Sequence, residues 1–335
     1  MLYPFLFHPI LKERIWGGRN LARLYGKPLP DSLLIGESWE ISDRPDAVSV
    51  IANGPLAGRS LRWLMENHRD DLLGAAPALN GRFPLLLKIL DAQQVLSLQV
   101  HPPAGVAEQL AGEPKTEMWY IAEAAPGAEL FVGLRRGVTR SEFESKMHGG
   151  DVATCFHRVA VRRGDVMFLP SGRVHAIGAG LVIFEIQQNS DTTYRVFDWN
   201  RTGSDGRKRP LHVDEALASI DFKDFEPSLI SRHLPSEQAM SRRLVNTGPF
   251  MVEEKVSPPG MALSIENDRA TIIAVLSGTL LVDAGEVAVR LSDGQFCLIP
   301  ACVRARNVRA ETTVQWLRIE PDTAAEILSF PTPRS

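Results

Sequence analysis

The chain has 335 residues, 44% hydrophobic and 23% charged, with a net charge of −3 at neutral pH. This is the balance of a globular protein long enough for one large domain or two ordinary ones. It lacks the basic excess that marks nucleic-acid binding, so nucleic acid is not an expected partner; a few clustered cations could still make a local site for an anionic small molecule. In chain order, residues 1–8 are apolar but have no basic leader and are interrupted by Pro4, so no signal peptide is expected. Ser60 as N-cap and Gly74 as terminator predict a helix over 61–73. Strand patterns follow over 85–90, 95–100, 118–122 and 130–132. Thr139 opens a helix over 140–147, closed by Gly149-Gly150, and strands resume over 166–169 and 181–187. A third helix is expected over 213–219. The polar, proline-bearing segment 221–238 reads as a linker, dividing the chain into domains at 1–225 and 240–335. Beyond it lie strands over 271–276, 279–282, 287–291 and 296–299. Many short strands punctuated by turns, with few helices, indicate a mainly β sandwich or barrel. Cys155, Cys297 and Cys302 are odd in number and lack CxxC spacing, so they are expected to be reduced and buried in a cytoplasmic protein. No apolar run approaches transmembrane length, and no membrane association is expected.

Three motifs carry chemistry. In Ser97-Leu98-Gln99-Val100-His101-Pro102, strand alternation sends Ser97, Gln99 and His101 to one face. Lys115-Thr116-Glu117 puts a lysine and a carboxylate together on the next strand face. The run from Gly164 to His175, of the form Gly-x5-Pro-x-Gly-x2-His, is similar to the second metal motif of cupin barrels. Together they offer Gln99, His101, Glu117 and His175 to one metal ion. Nitrogen and oxygen ligands without thiolate suit Zn²⁺ or another divalent first-row ion. Taken singly, each is more readily a surface residue on a half-buried strand or a satisfied turn histidine; it is their joint order and phasing that points to a metal. His8, His68, His148, His157, His212 and His233 show no comparable spacing. The run Gly294 to Pro300 echoes Gly164 to Pro170, and in that echo Ala305 stands where His175 stands, which suggests a second barrel without the metal ligand.

Three further residues have two readings each. Glu185 alternates with Ile183 and Gln187 on one strand face, which lines either a wet cavity or an exposed edge. Lys88 sits in the apolar run 84–90, where it either snorkels to the surface or faces an anionic ligand. Arg195 follows the polar run 189–193 and is either a surface arginine or a group reaching back over the barrel mouth.

Over roughly the first 200 residues, these motifs occur in the order found in one family. The carrying stretches are 96–102, 115–118, 170–176, 189–195, and near the N-terminus Arg14-Ile15-Trp16-Gly17-Gly18 and Gly36-Glu37-Ser38-Trp39-Glu40. The chain resembles the type I mannose-6-phosphate isomerases, also called phosphomannose isomerases, in their shorter bacterial form. The resemblance implies duplicated cupin (jelly-roll) barrels with a few short helices, the second barrel degenerate. It implies one zinc per chain on Gln99, His101, Glu117 and His175, Arg195 in the active site, and Lys115, Ser97 and Lys88 in or near the sugar-phosphate pocket. The expected reaction interconverts D-mannose 6-phosphate and D-fructose 6-phosphate through an enediol, with Arg195 and Lys115 catalytic and Ser97, Lys88 and Glu185 substrate-binding. Lys115, Glu185 and a zinc-bound water all stand as candidates for the base. A monomer or weak homo-oligomer is expected. Glu117 and His175 lie too close in sequence for the long helical insertion of larger members, so substrate access should be less enclosed. Two rivals remain at this level: an iron-dependent cupin oxygenase, which would not need Gln99, and a non-catalytic sugar-phosphate-binding cupin.

Overall fold

The computed structural model describes residues 1–202, 206–230, 240–265, 268–284, 287–303 and 307–322. They form two compact units that are not contiguous in sequence, one comprising residues 9–40 and 86–232, the other residues 1–8, 41–85 and 233–335.

In the first unit a six-stranded sheet runs in the order Ile10–Gly18, Ile35–Ile41, Leu85–Ala92, Leu181–Gln188, Glu117–Ala124, Val166–Leu169. A five-stranded sheet runs Tyr194–Phe197, Leu98–Val100, His175–Ile177, Glu129–Leu134, Phe156–Ala160. The inward residues of both sheets share one apolar core, in which Trp119, Ile121, Met167 and Ile183 meet Leu130, Val132 and Ile177. The period of two along each strand sorts the faces. Leu98 and Val100 turn outward into a second cluster with Phe143 of the helix Arg140–Gly149 and Ala216 of the helix Val213–Ser219. Gln99, between them, is left on the inner face.

The second unit repeats this plan. Its larger sheet runs Ser241–Thr247, Phe250–Ser257, Val314–Pro321, Thr271–Ser277, Phe296–Ile299, and its smaller one Ala262–Ser264, Asn307–Ala310, Leu280–Asp283, Ala288–Leu291. Eight strands in each unit correspond in chain order and in sheet position, the double-sheet arrangement of a jelly roll. The echo at 164–170 and 294–300 falls on equivalent edge strands, each entered from a glycine of positive φ, 84° at Gly164 and 72° at Gly294. Between the sheets of the second unit the core is apolar, with Ile273, Val275 and Trp316 against Val282, Leu291 and Val308. Ala305 lies outside the described residues.

The predicted helices form, with differences. The helix expected over 61–73 breaks at His68 (φ −143°) into Leu61–Asn67 and Arg69–Leu73; Ser60 Oγ caps the first by accepting from the Trp63 amide at 3.0 Å. Thr139 caps Arg140–Gly149 as expected, and Val213–Ser219 is helical. Two short helices escape the sequence reading, Asn20–Tyr25 and Ala104–Gln109. The strand expected over 95–100 shortens to Leu98–Val100 because the Leu96 and Trp199 neighbourhood is taken up by single bonds, Leu96 N–H to Ile177 O and Trp199 Nε1 to Leu96 O.

The described part of the expected linker, 221–230, is docked rather than free. Phe222 and Phe225 pack on the outer cluster, and Arg173 grips Asp224 through two bonds of 2.8 Å. The contiguous division near residue 225 differs from the compact units in one respect. Residues 1–8 and 41–85 group with the C-terminal strands, where Phe5 pairs with Leu298, and Leu73 O accepts from the Ala270 amide at 3.1 Å. Cys155 and Cys297 are buried thiols, whereas Cys302 is exposed, contrary to expectation. Among the described residues no helix is long and apolar enough to cross a membrane.

Candidate metal centre and active site

Strand register brings the predicted residues together. Gln99 is the direct cross-strand partner of His175 on one side and of Arg195 on the other, so the three side chains share the inner face of the five-stranded sheet. From the opposite sheet, Glu117 opens the strand Glu117–Ala124 and is fully buried. His101 follows the short strand Leu98–Val100 and is also buried.

Ligand atoms of His101, Glu117 and His175 lie within 4.8 Å of one another. His101 Nε2 is 3.4 Å from Glu117 Oε2, and His175 Nε2 is 3.5 Å from Glu117 Oε1. Each imidazole is oriented from behind: Nδ1 of His101 contacts Thr192 O at 2.9 Å, and Nδ1 of His175 contacts Arg173 O at 2.9 Å. Carbonyls only accept, so both Nδ1 atoms carry the proton and both Nε2 lone pairs face the carboxylate. Burial pulls the His101 imidazole down to about 4, helped by the Lys115 charge, and burial lowers His175 as well; both are neutral at pH 7. Burial alone would raise Glu117, but the Lys115 ammonium beside it outweighs burial and holds its carboxyl well below the usual carboxylate range.

The fit to a cation rests on unmet bonding. His101 Nε2 and both Glu117 oxygens are buried without a hydrogen bond of good geometry, which proteins rarely tolerate. Two neutral imidazoles and a carboxylate, aimed at one point, form the nitrogen and oxygen donor set a divalent ion takes. Gln99 adjoins them, its amide Nε2 3.3 Å from His175 Nε2, and a half-turn of the amide presents Oε1 instead.

Above the triad lies a cavity of about 470 Å³. Ser97, Gln99, Lys88, Lys115, Glu185 and Arg195 all line it, and two of these, Gln99 and Lys115, touch the triad. Lys88 is buried, which decides between its two readings: it does not snorkel but faces the cavity. Its Nζ lies 2.9 Å from Glu185 Oε2, and Glu185 Oε1 accepts from Trp119 Nε1 at 3.1 Å. The Trp119 ring meets His175 edge-on at 5.3 Å, so one indole packs on the triad and orients the carboxylate that holds Lys88. Lys115 Nζ is 2.9 Å from Glu117 Oε2. Arg195 is half-buried, with Nη1 donating to Pro210 O at 2.8 Å and Nε buried without a partner.

Sequence reasoning missed several residues of this cavity. Glu37 pairs with Arg14 (2.7 Å), accepts from Trp39 Nε1 (2.6 Å), and is held at about 2 because Lys88 and Arg14 outweigh its burial. A carboxylate on the same strand face as Trp39 was the available signal. Trp119 and Arg209 also line the cavity; for neither does local sequence distinguish a site residue from a core or surface one.

Comparison with known proteins agrees with this geometry. The sequence model described as phosphomannose isomerase type I, catalytic domain, matches residues 5–127. A mannose-6-phosphate isomerase of Streptococcus mutans is 34% identical over 91% of this chain and 95% of its own. A probable mannose-6-phosphate isomerase of Bacillus subtilis is 40% identical over 90% of this chain and 94% of its own. The crystal structure of a Bacillus subtilis mannose 6-phosphate isomerase superposes with a TM-score of 0.86 at 30% identity, covering 95% of this chain and all of that one. Nothing in these matches favours an oxygenase or a non-catalytic binding protein. The chain belongs to the type I mannose-6-phosphate isomerase family, with its cupin-like fold, and is an aldose–ketose isomerase.

Proposed function

We propose that the enzyme interconverts D-mannose 6-phosphate and D-fructose 6-phosphate through an enediol, with one zinc ion per chain held by Gln99, His101, Glu117 and His175. The observation that carries this reading is the buried triad with unmet donor atoms, opening through Gln99 and Lys115 onto a cavity that also holds Lys88 and Arg195. When bound, the metal supplies Lewis acidity toward the sugar oxygens. The protein supplies the rest. Isomerisation moves hydrogen between C1 and C2 and develops negative charge on their oxygens, which fixed cations stabilise best where water is excluded. Arg195 presents its guanidinium to that charge, and the buried Lys115 ammonium, just ahead of the strand Glu117–Ala124, lines the same cavity. Glu185 has both oxygens engaged, by Trp119 and Lys88, and serves to hold Lys88 in place. Lys88, with the Ser97 hydroxyl, takes the phosphate.

The test is a coupled assay on mannose 6-phosphate before and after chelation, with metal content measured alongside. Activity should vanish on chelation and return with zinc. Arg195→Ala should depress kcat by on the order of 10²-fold with KM comparatively unchanged. Arg195→Lys should rescue only in part, since an ammonium lacks the planar fork of donors. Full activity in metal-free protein, or a normal kcat for Arg195→Ala, would overturn the corresponding assignment.

A further inference from the structure

Arg195 does not hold its position alone. Its strand ends at Phe197, and the chain then passes through Trp199 and Asn200, both non-glycine residues at φ 55°, in the left-handed region. Such backbone persists only where its surroundings impose it. Here Trp199 Nε1 donates to Leu96 O at 2.7 Å and Arg201 Nη1 to Val95 O at 2.6 Å, fastening the turn to the residues just before Ser97 and Gln99. The turn buries Asp198, whose carboxylate is gripped by two arginines: Arg201 Nη2 at 2.5 Å, and Arg209 through Nε at 2.7 Å and Nη2 at 2.5 Å.

The segment that begins at Arg209 then returns to Arg195. Pro210 O accepts from Arg195 Nη1 at 2.8 Å; His212 Nδ1 accepts from the Arg195 amide at 3.1 Å; the His212 amide donates to Arg195 O at 2.9 Å. Arg195 is thus held at backbone and guanidinium by residues 210–212, and these are anchored through the bidentate Arg209–Asp198 pair. Arg195 lies in the field of the two guanidiniums that share Asp198, and like charges so placed repel one another unless each has an assigned place; both Arg195 and Arg209 line the cavity.

We infer that Asp198 and Arg209 are positioning residues for the isomerisation: their ion pair sets the 209–212 segment that aims the Arg195 guanidinium into the cavity. The inference rests on the role proposed above for Arg195. A long, flexible arginine is only as useful as its placement is precise, and displacement by about 1 Å can cost a large factor in rate.

A double-mutant cycle in kcat tests this. Asp198→Asn and Arg209→Gln should each lower kcat roughly tenfold or more while leaving KM within about twofold, with metal content unchanged. Arg209→Lys should restore only part of the loss, because a point charge cannot bridge both carboxylate oxygens. In an Arg195→Ala background neither substitution should lower kcat further. If the losses multiply instead, the pair supports the fold and not Arg195, and the inference fails. A normal kcat for Arg209→Gln would overturn it equally. Should Asp198→Asn fail to fold, Arg209→Gln, which leaves Asp198 paired to Arg201, carries the cycle. A normal kcat for Arg195→Ala alone would instead overturn the function proposed for Arg195.

Discussion

His101 and His175 are held in one tautomer by backbone carbonyls, so their contribution to metal binding is set before any ion arrives. His101→Ala and His175→Ala should each remove most of the metal, from about one ion per chain by elemental analysis. Full occupancy in the double variant would refute the assignment. Lys88 shows how burial changes what a substitution means. It pairs with Glu185 at 2.9 Å, and both side chains are nearly inaccessible, 6% and 5% exposed. Lys88→Met therefore removes the cation proposed for the phosphate and also strands a buried carboxylate, at a cost of about 3–5 kcal/mol. The double variant Lys88→Met/Glu185→Gln should regain much of that stability in urea titrations. It should nonetheless keep a raised KM for the sugar phosphate. If KM returns to normal with stability, Lys88 is structural and does not bind phosphate.

At the scale of elements, the strand His175–Ile177 carries the triad's last member, and the turn just beyond it sets that strand's distance from its neighbour. Gly178 donates its amide to Glu129 O at 3.0 Å, and a Cβ there would stand 2.1 Å from the same oxygen. Gly178→Ala must push the strands His175–Ile177 and Glu129–Leu134 apart. Lower thermal stability and weaker metal retention should appear together; a variant with both intact would show that the turn yields without moving His175. Helix limits and strand phasing were largely legible from sequence here. Ser60 and Thr139 cap the helices they were expected to cap, and Glu185 does alternate with Ile183 and Gln187 on the inner face. The break at His68 was not legible, since nothing in 61–73 is a proline or glycine that would interrupt a helix.

Across the six-stranded sheet, charges alternate in sign: the half-buried Arg14, then the buried Glu37, Lys88 and Glu185. This row makes stability depend on pH in a defined direction. Glu37 sits at about 2 in the folded protein against an ordinary 4.5, so its carboxylate stabilises the fold fully above about 4.5. That contribution, on the order of 3 kcal/mol, is lost as pH falls from there toward 2. Lys88 is raised by Glu185 and Glu37 against the effect of burial, so its share is intact below its ordinary value and is lost only in strong alkali. Wild-type stability should fall between pH 4.5 and 2 with proton uptake, and Glu37→Gln should flatten that slope. An unchanged slope would mean that other carboxylates govern acid unfolding. Metal removal acts on the same balance by mass action: chelation should lower Tm, and the shift should grow with zinc concentration.

The sequence by itself determined the mainly β architecture, its internal repeat and the candidates for the metal, because these rest on short-range order: a period of two along strands, glycine and proline at fixed turn positions, and ligand types at set spacings. It also carried the family, since the motifs run in order along the chain. Only the tertiary structure decided which readings of Lys88, Glu185 and Arg195 apply. A strand's alternation says which residues share a face but not what covers that face. The pairing of Lys88 with Glu185, and the placing of Glu37 beside them, bring together strands far apart in the chain. The turn at 198–201 and the return of residues 209–212 onto Arg195 are likewise invisible locally: the turn depends on Leu96 and Val95, about a hundred residues earlier, offering their carbonyls to Trp199 and Arg201.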